Sequence, residues 1–182
     1  MVFRLVLLLL LAFPAAAVEV AGVQIDDKTR VGNAEVSLTG AGLRRRLFFQ
    51  VYAIGLYVSD PKADVIAQPG PKRVLIHMLR DVGAEQFSEA LADGIKANHS
   101  EAESAALEPR VKRLAAIMAE VGEAKKGMAI ALDWTGKETQ VLIAGKAAGR
   151  PIEGEDFYRA LLRIWLGDKP VQDDLKKALA GS

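Results

Sequence analysis

The chain of 182 residues has no cysteine and only two histidines, His77 and His99. The first absence excludes disulfides, thiolate metal sites, cysteine nucleophiles and lipid attachment through a cysteine. The second excludes a multi-histidine centre, so neither a metal nor a cofactor is expected. An excess of one charge is also missing. The 24 basic side chains face 23 acidic ones, a formal charge of +1, and no nucleic-acid partner is expected from such a balance. No internal repeat or dividing linker is visible, and the length suits one domain at roughly 100–200 residues each. With 51% apolar and 26% charged residues, the composition is that of a folded chain.

Long apolar runs are scarce too, and the one present stands at the N-terminus. Arg4 precedes the run Leu5 to Phe13, Pro14 breaks it, and Ala15-Ala16-Ala17 follows. That order is a secretory leader with a small-residue cleavage site. The run is far shorter than the roughly 20 residues of a membrane span. Residues 1–17 are therefore expected to be a signal peptide. The remaining domain, 18–182, is expected in the periplasm or secreted, without a stable membrane span.

The body of the chain reads as strands, then two helices, then a hairpin, then two helices. Val18 to Ile25 reads as one strand, Asp26-Asp27 as a turn, and Glu35 to Leu38 as a short strand. Gly40-Ala41-Gly42 reads as a flexible break, and Arg44-Arg45-Arg46 as a basic cluster in a turn-like setting. Leu47 to Val58 is aromatic and β-branched on both alternating sets, the pattern of a strand covered on both faces. Arg73 to Leu79 is a further strand. Ala84 to Asn98 and Leu107 to Val121 carry helical stripes, the second stopped at Gly122. Met128 to Trp134 and Thr139 to Ala144 form a hairpin around Gly136-Lys137. Ile152 to Leu166 and Pro170 to Ala180 close the chain as helices, with Glu153, Glu155 and Asp156 placed to complement the first of these at its N-terminus. The fold class expected is α+β: a large antiparallel or mixed sheet with helices packed on one face.

No catalytic motif stands out. His77 lies within an apolar strand as a structural residue, and His99 ends a helix, where it can serve the last carbonyls. Arg44 to Arg46 is either a solvated turn or an anion site, since arginine grips a carboxylate with two parallel hydrogen bonds. Tyr52 shares a strand face with Phe48, Ile54 and Leu56, and a buried tyrosine hydroxyl needs a partner. An apolar cavity with one tyrosine and one arginine at its mouth suits a fatty acid or another amphipathic acid. Along one straight strand Arg44 and Tyr52 would stand roughly 26 Å apart; they converge only if the chain turns near Arg45-Arg46 or the sheet bends.

Three blocks then carry a resemblance. Gly40-Ala41-Gly42-Leu43-Arg44 with Val51-Tyr52-Ala53-Ile54-Gly55-Leu56-Tyr57-Val58 is similar to the N-terminal motif of the chalcone isomerase family. Ile76-His77-Met78-Leu79-Arg80-Asp81 resembles its Phe-x-Arg-Asp strand. Leu166-Gly167-Asp168-Lys169-Pro170-Val171 with Asp174-Leu175-Lys176 resembles its C-terminal segment. The leader and compact length look like the family's bacterial, exported branch. The resemblance implies an antiparallel sheet with helices over one face and a ligand cleft between. Of the family's five catalytic positions only the arginine is kept, at Arg44. The first threonine falls on Tyr52, the tyrosine on Phe87 or Gln86, the asparagine near Gly94 and the last threonine near Ile164. Arginine with tyrosine at the first two positions is similar instead to the family's fatty-acid-binding members, where the pair holds the ligand carboxylate.

The expectation is a non-catalytic exported protein binding a fatty acid or similar amphipathic carboxylate through Arg44 and Tyr52. The alternatives are an isomerase acting on a chalcone or related enone, and a partner-binding protein whose cleft is filled.

Overall fold

A computed structural model describes residues 17–181; the expected leader, residues 1–17, lies outside them apart from Ala17. The strands are β1 Ala17–Val20, β2 Val23–Asp26, β3 Lys28–Val31, β4 Ala34–Arg46, β5 Phe49–Val58, β6 Lys72–Met78, β7 Val82–Gly83, β8 Glu123–Ala124, β9 Ala129–Trp134, β10 Glu138–Ile143, β11 Lys146–Ala147 and β12 Ile152–Glu153. The helices are α1 Ala84–Ala97, α2 Glu101–Val121, α3 Glu155–Leu166 and α4 Asp173–Leu179. The main sheet runs β11-β10-β9-β6-β5-β4-β3, with β12 also on β10. Every pairing in it is antiparallel, which resolves the antiparallel-or-mixed expectation.

One face of this sheet carries the main core. Ile54 and Leu56 of β5, Val74, Ile76 and Met78 of β6, and Ile130 and Leu132 of β9 meet Leu91, Leu114, Phe157, Leu161 and Trp165 from the helices. The other face has a smaller core of Ile25, Val31, Val36, Ala53 and Tyr57, partly roofed by Val20 and Val23 of the β1–β2 hairpin. Residues 53–58 of β5 are consequently all buried, as a strand apolar at both alternating sets requires. Strand β6 alternates strictly between buried and half-buried side chains. Its outward Arg73 makes a bidentate pair with Asp133 at 2.6 Å per bond and a further bond to Thr29 at 2.8 Å.

Several sequence boundaries move, each for a physical reason. Val18 to Ile25 is a hairpin, because Ala21 and Gly22 take positive φ between β1 and β2. Gly40-Ala41-Gly42 is no flexible break but the middle of the 13-residue β4. A Cβ on Gly40 would collide with the Ala178 carbonyl oxygen, and one on Gly42 would stand 2.6 Å from Leu175 Cδ1. These glycines are close-approach residues that let α4 lie on the strand. Arg44-Arg45-Arg46 ends β4, and the turn is one step later at Leu47-Phe48, between the paired Arg46 and Phe49. Helix α2 begins earlier than Leu107, at Glu101, because Ser100 and Glu103 form a reciprocal capping box. Helix α3 begins later than Ile152. Ile152 and Glu153 pair with β10, so only Glu155 and Asp156 occupy the first turn. Pro170 and Val171 precede α4 instead of belonging to it. His99 Nδ1 does sit 2.8 Å from the Ile95 carbonyl at the end of α1. His77 is half-buried on the outer sheet face, and burial lowers its pKa.

Candidate functional site

The β4–β5 hairpin resolves the distance between the two candidate residues. Arg44 and Tyr52 are direct cross-strand partners, and Met78 of β6 stands next in the same row. The turn at Leu47-Phe48 folds the intervening segment back. A register shift between Arg44 and Arg45 accommodates one extra residue in β5 there. Cross-strand partners project to the same face. Arg44 and Tyr52 therefore share the helix-covered face with the pairs Gly42–Ile54 and Gly40–Leu56. Phe48 does not join this face, contrary to the sequence reading: it lies in the turn and is fully exposed.

Two residues that sequence reasoning missed complete the cluster. Trp165 of α3 donates its indole N–H to the Tyr52 hydroxyl at 2.9 Å. Gln172, just before α4, accepts from Arg44 Nη1 at 3.2 Å and from the Arg45 amide at 2.8 Å, and donates to the Leu43 carbonyl at 3.0 Å. The Arg44 guanidinium also bonds the Arg45 carbonyl. The signal for Trp165 was available, since a tryptophan on a buried helix stripe seeks an acceptor for its one N–H. No local pattern marks Gln172, whose partners lie far away in sequence.

Burial pushes the Tyr52 pKa up, opposed by the Trp165 hydrogen bond and by the nearby Arg44 charge. The phenol thus keeps its proton at neutral pH. Having accepted from Trp165, it can still donate through its own O–H. A protonated phenol beside a guanidinium can hold a carboxylate by one neutral and one charge-assisted hydrogen bond.

Beyond Tyr52 along the same face runs a narrow apolar slot lined by Ile54, Leu56, Val74, Leu162, Trp165 and Leu179. It leaves no room even for a water molecule, against roughly 300 Å³ or more for a typical ligand pocket. Leu175 and Leu179 of α4, both buried, fill the trough over Gly40 and Gly42.

The other family positions offer no buried polar group: Gln86, the alternative to Phe87, is exposed on α1. Phe87 packs against the core. Gly94 of α1 and Ile164 of α3 touch each other: a Cβ on Gly94 would stand 2.9 Å from Ile164 Cγ2. Among the described residues, no group of three or more His, Asp or Glu side chains is placed to hold a metal ion. None of the described helices is long and apolar enough to cross a membrane.

Comparison with known proteins gives two positive findings. The family profile described as chalcone isomerase-like matches residues 17–181. The fold is similar to the crystal structure of a fatty-acid binding protein of Arabidopsis thaliana, with a TM-score of 0.65 at 15% identity, over 88% of this chain and 92% of that one. At that identity the likeness is one of fold. No curated protein matches the sequence.

Proposed function

The chain belongs to the chalcone isomerase-like family, and from that premise we propose that it is a non-catalytic binding protein for an amphipathic carboxylate, a fatty acid being the simplest case. The observation that carries this reading is the direct pairing of Arg44 with Tyr52 at the end of an apolar slot. The guanidinium and the phenol O–H take the carboxylate, and the slot takes the chain. The fatty-acid binding named for the Arabidopsis structure supports the same class of ligand. The apolar contact of Gly94 with Ile164, where enone chemistry in this family would use polar groups, argues against an isomerase. A lone arginine still supplies electrostatic stabilisation to an oxyanion, but nothing beside it positions a reacting enone. The leader-like order of residues 1–17 supports a site of action outside the cytoplasm, in the periplasm or beyond, after cleavage near Ala17.

The slot is too narrow for an acyl chain as it stands. Binding therefore requires α4 to lift from β4, withdrawing Leu175 and Leu179 and freeing Arg44 from Gln172. The filled slot also favours a second reading, a protein that keeps the fold to bind a partner. Native mass spectrometry and lipid extraction separate the two. The expected result is a co-purifying acidic lipid that is lost in Arg44→Ala. Absence of any acidic lipid, with added fatty acid bound equally by wild type and Arg44→Ala, overturns the ligand reading.

A further inference from the structure

Among the described residues large apolar side chains are seldom exposed, and three of the four that are stand at one point. Among the described residues, Leu47, Phe48 and Phe49 are 83%, 100% and 56% exposed, and Val18 is the only other large exposed apolar residue. The three are consecutive and form the tip of the β4–β5 hairpin. Leu47 has φ of +54°, a left-handed conformation that glycine or asparagine occupies with less strain. The turn thus carries backbone strain at Leu47, as the turns at Ala21 and Ala144 do.

The charged side chains immediately beside the tip are basic. Arg45 and Arg46 precede it and are exposed, and Arg80 stacks its guanidinium 4.5 Å from the centre of the Phe49 ring. The acidic groups on neighbouring elements are Asp81, Glu123, Asp173 and Asp174. Asp174 of α4 stands 3.8 Å from Arg45, while Asp81 is engaged by Lys125. In a chain of formal charge +1, a convex apolar tip backed by three arginines is a local departure from the average surface.

We propose that this tip, Leu47-Phe48-Phe49 with Arg45, Arg46 and Arg80, docks onto the surface of an anionic lipid bilayer. The three apolar side chains enter the boundary between headgroups and acyl chains. The arginines behind them stand at the level of the lipid phosphates. A fluid bilayer accepts a convex point, whereas a protein partner would need a matching apolar pocket. Docking through the tip is independent of whether the slot binds a carboxylate.

The test uses the full chain with vesicles of phosphatidylcholine plus phosphatidylglycerol, against vesicles of phosphatidylcholine alone. In a Phe48→Trp variant the new indole reports its own surroundings, because Trp134 and Trp165 are already buried. Its emission is expected to move to shorter wavelength with the anionic vesicles and to be quenched by brominated acyl chains. Phe48→Asp is expected to lower vesicle binding about tenfold or more, the factor for removing one phenylalanine from an apolar phase. Arg45→Glu with Arg46→Glu, or salt raised to about 0.5 M, is expected to weaken it as well. Circular dichroism establishes that each variant is folded. Unchanged emission from the Phe48→Trp variant on adding anionic vesicles overturns the proposal, whatever residues 1–16 do. So does a concentration-dependent dimer that Phe48→Asp abolishes while the introduced indole stays insensitive to lipid.

Discussion

At the scale of single residues, contact decides more than chemical type. Gly94 looks like a helix-weakening residue in sequence, and Gly94→Ala would ordinarily favour a helix by about 1 kcal/mol. In place, the added methyl meets Ile164 Cγ2 and Cγ1 at 2.9 and 3.0 Å, and a β-branched side chain has little freedom to yield. Gly94→Ala is therefore expected to destabilise the fold by about 1 kcal/mol net. Adding Ile164→Ala should cost less than the sum of the two single changes, as a double-mutant cycle by urea denaturation would measure. A stabilised Gly94→Ala would disprove the tight crossing of α1 and α3. Arg44 and Tyr52 were named as candidates because a buried tyrosine hydroxyl needs a partner and because the pair resembles the first two family positions. Trp165 was half legible, as a buried N–H in need of an acceptor. Gln172 was not, because its role depends on β4 lying beside it.

At the scale of elements, α4 is the part whose order is borrowed. Seven residues are too few for a helix to persist alone in water. No side chain caps its start, and its hold on the sheet includes Leu175, Leu179, the three bonds of Gln172 to β4 and the exposed Asp174–Arg45 pair. Lys176 adds a bond to the Gly167 carbonyl at 2.8 Å. Gln172→Ala is expected to raise amide hydrogen exchange across residues 171–181 by roughly tenfold, the equivalent of about 1 to 1.5 kcal/mol of lost hydrogen bonding. Exchange in α1 and α2 should stay unchanged. Uniform acceleration throughout the chain would mean that α4 opens only with global unfolding, which would remove it as the gate of the slot. The elements themselves were largely legible where periodicity was long, as in α1, β5 and the β9–β10 hairpin. The glycines of β4 misled, because glycine signals a break when read locally and a close approach when a helix lies over it.

At the scale of the molecule, the three tyrosines link stability to alkaline pH. Burial raises the pKa of Tyr52 and carries that of Tyr158 well above its ordinary value. Burial, with the Asp26 charge, pushes Tyr57 from 10.0 to about 12. The folded chain thus keeps phenol protons that the unfolded chain releases above about pH 10. Stability is expected to be unaffected by these groups below that value and to fall as pH rises towards 12. Denaturant midpoints at about pH 8 and about pH 11 would measure the loss, and equal midpoints would contradict the burial of these hydroxyls. Reading along the chain was enough for the α+β class, the order of strands, two helices, hairpin and two helices, and the family resemblance. Composition, alternation and local motifs are all written in the order of the residues. Packing alone set Arg44 opposite Tyr52, laid α4 in the trough over Gly40 and Gly42, and left Leu47-Phe48-Phe49 exposed. Each of these depends on which segments lie against one another, and a cross-strand register or a close approach between distant residues leaves no periodic trace in a single chain.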